Sequence, residues 1–408
     1  MIVNFSVLFR NRNFGFLFLG QFVSFFGTMI TSVALPYQIY TITHSTLMVG
    51  LLSLFQLLPL LVTALIGGVF ADRYHRRLLL LLTESSLAIG CLLLAYNASL
   101  ATPEIWVIFV VATVMAGITG LHRPALDSML QQIVDKKDYS AVASIATFKS
   151  SVCMIGGPAI GGLIIAHFGI VTTFLVDFAT FAISLIALLS MTHIPRPEGK
   201  HDDSTFASIK TGLKYALSRQ ELIGTYVVDF VAMIFGMPTA LFPAIAQSFG
   251  GAKVLGILYA APAIGALVIS FFSGWAQQVK RHGQAIAYAA IFWGVSIIFF
   301  GLSSNFYVAI FFLALAGGFD AISGIFRMTM WNETIPNKLR GRMSGIEMIS
   351  YLSGPRLGDT EAGLVAAAFG ITASIISGGV LCVLSVIASC YFLPKFWSYH
   401  SEQHKEDV

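Results

Sequence analysis

Apolar runs of membrane-crossing length recur along the whole chain, divided by short polar connectors. A bilayer core needs ~20 apolar helical residues to be crossed. On that template the runs predict helices near 14–40, 47–71, 78–98, 103–127, 142–167 and 169–192 in the first half. The second half gives helices near 221–248, 252–276, 284–303, 305–330, 342–368 and 371–393. The pattern therefore predicts an all-α integral membrane protein with twelve transmembrane helices. Its least marked division lies within 142–192, where only His167-Phe168-Gly169 separates two runs. The first run starts near Phe14, after Arg10 and Arg12, and is longer than a signal-peptide core. No cleavage pattern follows it, so it is expected to remain as a helix.

Composition agrees and removes the soluble alternative. Of 408 residues 56% are hydrophobic and 11% are charged, against roughly 25% charged in an ordinary soluble domain. The net charge of +4 matters less than its distribution, and no nucleic-acid partner is expected. Of the 24 Lys and Arg, four (Arg123, Lys149, Arg327, Arg356) fall within apolar runs and only Lys253 on an outer connector; the other 19 fall on connectors assigned to the inside. The positive-inside rule then places both termini in the cytoplasm of a bacterial inner-membrane protein. An even count of twelve helices likewise puts both termini on one side. Cys91, Cys153, Cys382 and Cys390 have no paired spacing, so neither a disulfide framework nor a metal site is expected, and packed thiols are the reading.

One connector is long. From His193 to Gln220 the chain is polar, with Pro195, Pro197 and spaced Lys, and Phe206 to Leu217 has helical apolar spacing. It reads as a surface linker (193–220) between a six-helix bundle over 1–192 and another over 221–393, with a cytoplasmic tail at 394–408. The halves look like degenerate copies. Gly68-Val69-Phe70-Ala71-Asp72 has a counterpart in Gly274-Trp275-Ala276-Gln277-Gln278, and Lys136-Lys137-Asp138 in Asn337-Lys338-Leu339. Such duplication implies two pseudo-symmetric bundles facing a central path.

Gly67 to Arg77 joins two runs by a hairpin with glycines at its entry and Asp72, Arg73, His75, Arg76 and Arg77 at its exit. Lipid cannot accommodate that density of charge, so the segment lies at a water interface. Gly68, Asp72, Arg73, Arg76 and Arg77 resemble the Gly-x-x-x-Asp-Arg-x-Gly-Arg-Arg loop of the major facilitator superfamily, with His75 where that family usually has Gly. The resemblance implies a latch at the cytoplasmic side, completed by an acid at the end of the fourth helix, for which Asp127 is the matching candidate. Glu84 is placed with the gate. The plain alternative is an ordinary positive-inside hairpin.

Gly156-Gly157-Pro158-Ala159-Ile160-Gly161-Gly162 resembles the Gly-Pro-x-x-Gly-Gly element of the family's drug:proton antiporters, with Gly157, Pro158, Gly161 and Gly162 matching. It implies export, against the alternative of generic small-residue packing. Longer stretches resemble the enterobactin-exporter-like branch: Asp229 to Pro238, Phe174 to Phe181, Gly354 to Asp359, and Pro36-Tyr37-Gln38 before Thr43-His44-Ser45-Thr46. The resemblance spans nearly all of 8–393.

Ionisable residues inside membrane helices are costly and point to function. Beyond Glu84 they are His122, Arg123, Lys149, Asp177, Asp229, Asp320, Arg327, Glu347, Arg356, Asp359 and Glu361. Arg327 follows Asp320 by seven residues, about two turns, so its partner is expected elsewhere. Arg356 and Asp359 are three apart and within pairing range. Asp177 and Asp229 are the first candidates for proton coupling, because a buried carboxyl holds its proton toward neutral pH.

The expected function is secondary active transport, a proton-coupled exporter of a siderophore-like or amphiphilic small molecule working by alternating access. Multidrug or macrolide efflux, and import of an iron complex on the same fold, stay open. A membrane-embedded enzyme is disfavoured because no nucleophile elbow, His-Glu-x-x-His or phosphate-binding loop is present. No cofactor is expected. The partners expected are cargo, protons and membrane lipids, and the protein is read as a monomer.

Overall fold

The computed structural model describes residues 5–192, 213–336 and 339–401, with no side chain described at 68, 69, 71–73, 340–342 or 344–346. The described residues are helical almost throughout. The long helices are α1 (Arg12–Thr43), α2 (Thr46–Arg73), α3 (Arg76–Ser99), α4 (Ile105–Ile133) and α5 (Tyr139–Leu189). They continue with α6 (Gln220–Gly236), α7 (Phe242–Phe249), α8 (Ala252–Phe271), α9 (His282–Leu302), α10 (Phe306–Thr334), α11 (Arg340–Phe369) and α12 (Ile371–Phe392).

Among the described residues ten helices are long and apolar enough to cross a membrane. The ten are consistent with the expected twelve. One of them, Lys136–Leu189, is divided by Gly169, whose φ of 81° and ψ of 174° are not helical. Glycine meets that positive φ without a Cβ clash, which is why the turn falls there. The other addition is α11, whose polar content keeps it outside the apolar set.

Two predicted runs are corrected. The run at 221–248 is interrupted between Gly236 and Phe242, where a 3-10 turn covers Thr239–Leu241. Pro238 is the cause: it has no N–H to give and forces Met237 before it into extended backbone, φ −106° and ψ 95°. Trp293 Nε1 donates to the freed Gly236 carbonyl at 3.1 Å. The run at 252–276 ends as an α-helix at Phe271 and continues as a 3-10 turn over Ser273–Gln278.

The chain forms two compact units. The first comprises Met1–His44, Phe55–Asp202 and Ala246–Ala260; the second comprises Ser45–Leu54, Asp203–Ile245 and Ala261–Val408. Each therefore takes a short segment from the opposite half of the sequence. In the first unit α1 lies along α5, and α3 packs against α4 and α5. Its core has one apolar layer around Leu17, Leu80, Met129 and Leu188, and another around Leu87, Ala88, Cys91 and Phe181. In the second unit α9 packs against α10 and α12, while α6 is flanked by α11 and α12.

Part of the predicted linker, 193–212, lies outside the described residues, as does the tail beyond 401; residues 213–218 are helical.

Candidate functional site

Charged side chains converge inside the second unit. Arg327 on α10 is ion-paired with Asp229 on α6, and its Nη2 lies 3.7 Å from Asp320 Oδ1. The side chains of Arg327 and Asp229 are 13% and 15% exposed, and that of Asp320 41%. One turn along each helix a second link fixes the same crossing: Trp331 Nε1 donates to Thr225 Oγ1 at 2.8 Å, and the Trp331 ring stacks on Tyr226. Asp229, Asp320, Val228, Met233, Trp293 and Ser323 line a small recess beside the pair. The partner expected for Arg327 outside its own helix is thus Asp229. The arginine side chain is also long enough to approach Asp320 across two turns. Glu347 is partly buried on α11.

Asp359, read from sequence as pairing range for Arg356, is held by hydroxyls and backbone. It accepts from Thr239 Oγ1, from Ala240 N at 2.9 Å and from Ser53 Oγ at 2.9 Å. The first two donors belong to the turn after Pro238, so Asp359 satisfies backbone freed by the break in the predicted 221–248 helix. Ser53 lies in the Ser45–Leu54 segment of the same unit. Close contact anchors that segment: a Cβ on Gly50 would sit 2.7 Å from the Asp359 carbonyl. Arg356 is partly buried nearby on α11.

In the first unit Asp177, on the later limb of α5, is almost fully buried. It accepts from Thr31 Oγ1 on α1, from Thr180 Oγ1 at 3.1 Å and from Cys91 Sγ at 3.4 Å. Gly27 makes this possible, since a Cβ there would overlap Thr180 and Asp177. Thr31 is not among the candidates read from sequence, and Cys91 is read there only as a packed thiol; a hydroxyl and a thiol inside apolar runs are the available signal. The four cysteines are free thiols, three of them buried.

Glu84 is completely buried between helices. It accepts from Gln21 Nε2 on α1, and His122 Nε2 on α4 lies 3.3 Å from the same oxygen. Lys149 on α5 stands 5.6 Å from the centre of the Phe25 ring, a cation–π contact. Arg123 pairs with Asp127 one turn on, at 3.5 Å, with both side chains largely exposed.

The hairpin residues are only partly described. The side chains of Gly68, Asp72 and Arg73 lie outside the described residues. Arg76 donates to the Ser128 carbonyl at 3.2 Å, and Arg77 to Leu188 and Leu189 carbonyls at 2.9 and 2.7 Å. Arg77 thereby caps the C-terminal end of α5, where a cation also complements the helix dipole. His75 precedes α3 with φ −63°, so this turn needs no glycine.

The Gly156–Gly162 segment lies against two elements of its unit. On one side a Cβ at Gly156 would meet Phe26 at 3.0 Å and one at Gly161 the Ile30 backbone at 3.2 Å; Gly157 faces Met29. On the other, a Cβ at Gly162 would lie 2.6 Å from Ala252 O and 2.8 Å from Gly256 N.

The comparisons accord with this arrangement. Residues 5–406 match the family described as transmembrane secretion effector. The chain is 27% identical over 379 residues to the enterobactin exporter EntS of Shigella boydii serotype 4 (strain Sb227), covering 93% of this chain and 91% of that one. In structure it is similar to a POT family transporter solved with 5-aminolevulinic acid, TM-score 0.74 at 14% identity, covering 95% and 97% of the two chains. It is also similar to a bacterial homolog of the human lysosomal transporter Spinster, TM-score 0.72 at 15% identity, covering 98% of each. The fold is that of these transporters, and the chain belongs to the transmembrane secretion effector family of major facilitator proteins.

Proposed function

We propose that this protein is a secondary transporter of the bacterial inner membrane that exports a siderophore-like small molecule in exchange for protons. The observation that carries the reading is the Asp229–Arg327–Asp320 cluster, in a chain similar along 93% of its length to enterobactin exporters. One guanidinium between two carboxylates leaves one negative charge uncompensated when both acids are ionised. A proton taken by either acid brings the cluster to zero net charge. Uptake and release of that proton is a way to couple the cluster to a gradient, since an uncompensated charge inside a bilayer protein is costly.

Asp229 and Asp320 are the first candidates for the coupling acid, with Asp177 next because it is buried among neutral donors. Glu347 and Arg356 are assigned to the surroundings of the cargo path, and Asp359 to holding the turn after Pro238. Lys149, with Phe25 beneath it, offers a cation and an aromatic face, which suit an anionic aromatic cargo. Arg123 and Asp127, with the hairpin residues Gly68, Asp72, Arg73, Arg76 and Arg77, form the cytoplasmic gate in this reading. Both termini lie in the cytoplasm, by the distribution of Lys and Arg. The halves 1–192 and 221–393 alternate access around the cargo, as a monomer.

The test is transport in inverted membrane vesicles with a labelled catecholate siderophore. Uptake into the vesicles that collapses with a protonophore is the expected result. Uptake of macrolides in its place would move the cargo to drugs. Accumulation only in right-side-out vesicles would overturn the direction.

A further inference from the structure

Glu84 sits in a polar layer enclosed by apolar ones. On α3 it has Leu80 one turn before it and Leu87 and Ala88 one turn after. On α1 Gln21 follows Leu17 by a turn, and on α5 Ser184 lies between Phe181 and Leu188. Gly20 lets α1 and α5 close around this layer, since a Cβ there would lie 2.9 Å from Ser184 Oγ. The Glu84 side chain has no exposed surface, while that of His122 is 15% exposed and is the layer's link to the outside. Glu84 Oε1 meets both Gln21 and His122, yet Glu84 Oε2 and Ser184 Oγ have no hydrogen-bond partner among the described residues.

A carboxylate in this setting has one neutral amide and one imidazole to balance it. Buried charge without a counter-charge is disfavoured by several kcal/mol or more, so either the acid or the imidazole must carry a proton. The unpartnered Oε2 leaves a carboxylate here only half satisfied, within the layer that also holds the Ser184 hydroxyl.

We propose that Glu84, with His122 and Gln21, is a proton-binding site of the first unit, additional to the Asp229–Arg327–Asp320 cluster. A hydronium ion gives its proton to the His122 imidazole and leaves as water; the Nε2–H that faces Glu84 then passes its proton to Oε1, and the reverse steps return it. Only N–H and O–H bonds form and break, and no electrons are exchanged. Few other ionisable groups approach the site. Cys91 lies two turns along α3 and is hydrogen-bonded to Asp177 of α5. Arg77 lies two turns the other way, bonded to the Leu188 and Leu189 carbonyls. On α4 Arg123 points to the exposed side with Asp127. From α1 the neighbouring polar group is the neutral Gln21. The use of this site in transport rests on the proton-coupled reading above; its existence as a proton site does not.

The experiment therefore starts without cargo. Wild-type protein, Glu84→Gln and His122→Gln are purified in detergent, and the infrared band of buried protonated carboxyl is followed through a titration over about pH 5 to 8. Glu84→Gln is expected to remove part of that band. His122→Gln is expected to leave the band and move its midpoint by tenfold or more in proton affinity. A band unchanged in Glu84→Gln, or an unshifted midpoint in His122→Gln, overturns the proposal. If Glu84→Gln does not fold, the midpoint in His122→Gln decides alone. In vesicles, Glu84→Gln should lower the protons moved per cargo. Absence of export in the wild type counts against the exporter reading and leaves the titration result standing.

Discussion

Arg327 of α10 is clasped by Asp229 of α6, with Asp320 3.7 Å away on its other side. Neither acid is independent of the other, because both address the same guanidinium. This geometry makes distinct statements about four substitutions.

Arg327→Leu leaves two acids without their cation. Removing one partner of a buried pair costs about 3 to 5 kcal/mol, so the variant should be expressed poorly or unfold early in detergent, and should not transport. Arg327→Lys should recover folding more fully than transport, since an ammonium cannot bridge two carboxylates as a guanidinium does. Unfolding midpoints and vesicle transport, measured together, check both statements.

Asp229→Asn and Asp320→Asn separate the acids. If Asp229 couples, its Asn variant should transport without responding to an imposed proton gradient, whereas Asp320→Asn should keep the response with an altered pH profile. Reversal of the two outcomes would assign the coupling to Asp320. A full response in both variants would exclude the cluster as the coupling site.

Asp359 accepts three hydrogen bonds around the turn after Pro238. Its loss leaves freed backbone and two hydroxyls without their acceptor. Asp359→Ala should destabilise the protein by about 1 to 3 kcal/mol and leave the proton response of any remaining transport unchanged. A changed pH profile would give Asp359 a share in coupling.

Gly162→Val should interfere with packing against Ala252 and Gly256, where even a Cβ has less than 3 Å. Overpacking of this kind costs about 1 to 3 kcal/mol, and both elements are backbone, which gives little. A lower thermal midpoint with reduced transport is expected; wild-type behaviour would show that the first unit opens at this contact without loss.

Tyr399 follows the last membrane helix and donates to Glu333 Oε2 at 3.1 Å. Burial, and then the Glu333 charge, raise its phenol above the ordinary range. The folded state therefore keeps the phenol proton more firmly than the unfolded state does. The stability this represents is complete below the ordinary tyrosine range of about 10 and falls as pH rises above it. Tyr399→Phe should unfold less steeply with alkali than the wild type, as read from unfolding midpoints across that range.

The sequence alone determined that the chain is a series of apolar spans and where most of them fall, because a run of ~20 apolar residues is suited to crossing a bilayer. It determined the break at Gly169, and it placed the ionisable residues inside spans, where their cost marks them out. What it could not determine was which of them meet. Arg327 finds Asp229 on a helix about a hundred residues away in sequence; nothing in the spacing along α10 specifies that partner. Asp359 was legible as an acid near Arg356, yet its role depends on a helix break whose freed N–H comes within reach only after folding. Gln21, His122 and Glu84 lie on three separate helices, and each alone reads as an isolated polar residue. Helix periodicity fixes the face on which a side chain stands, whereas the close approaches at Gly20 and Gly27 fix what that face meets. That is the part only tertiary structure decided.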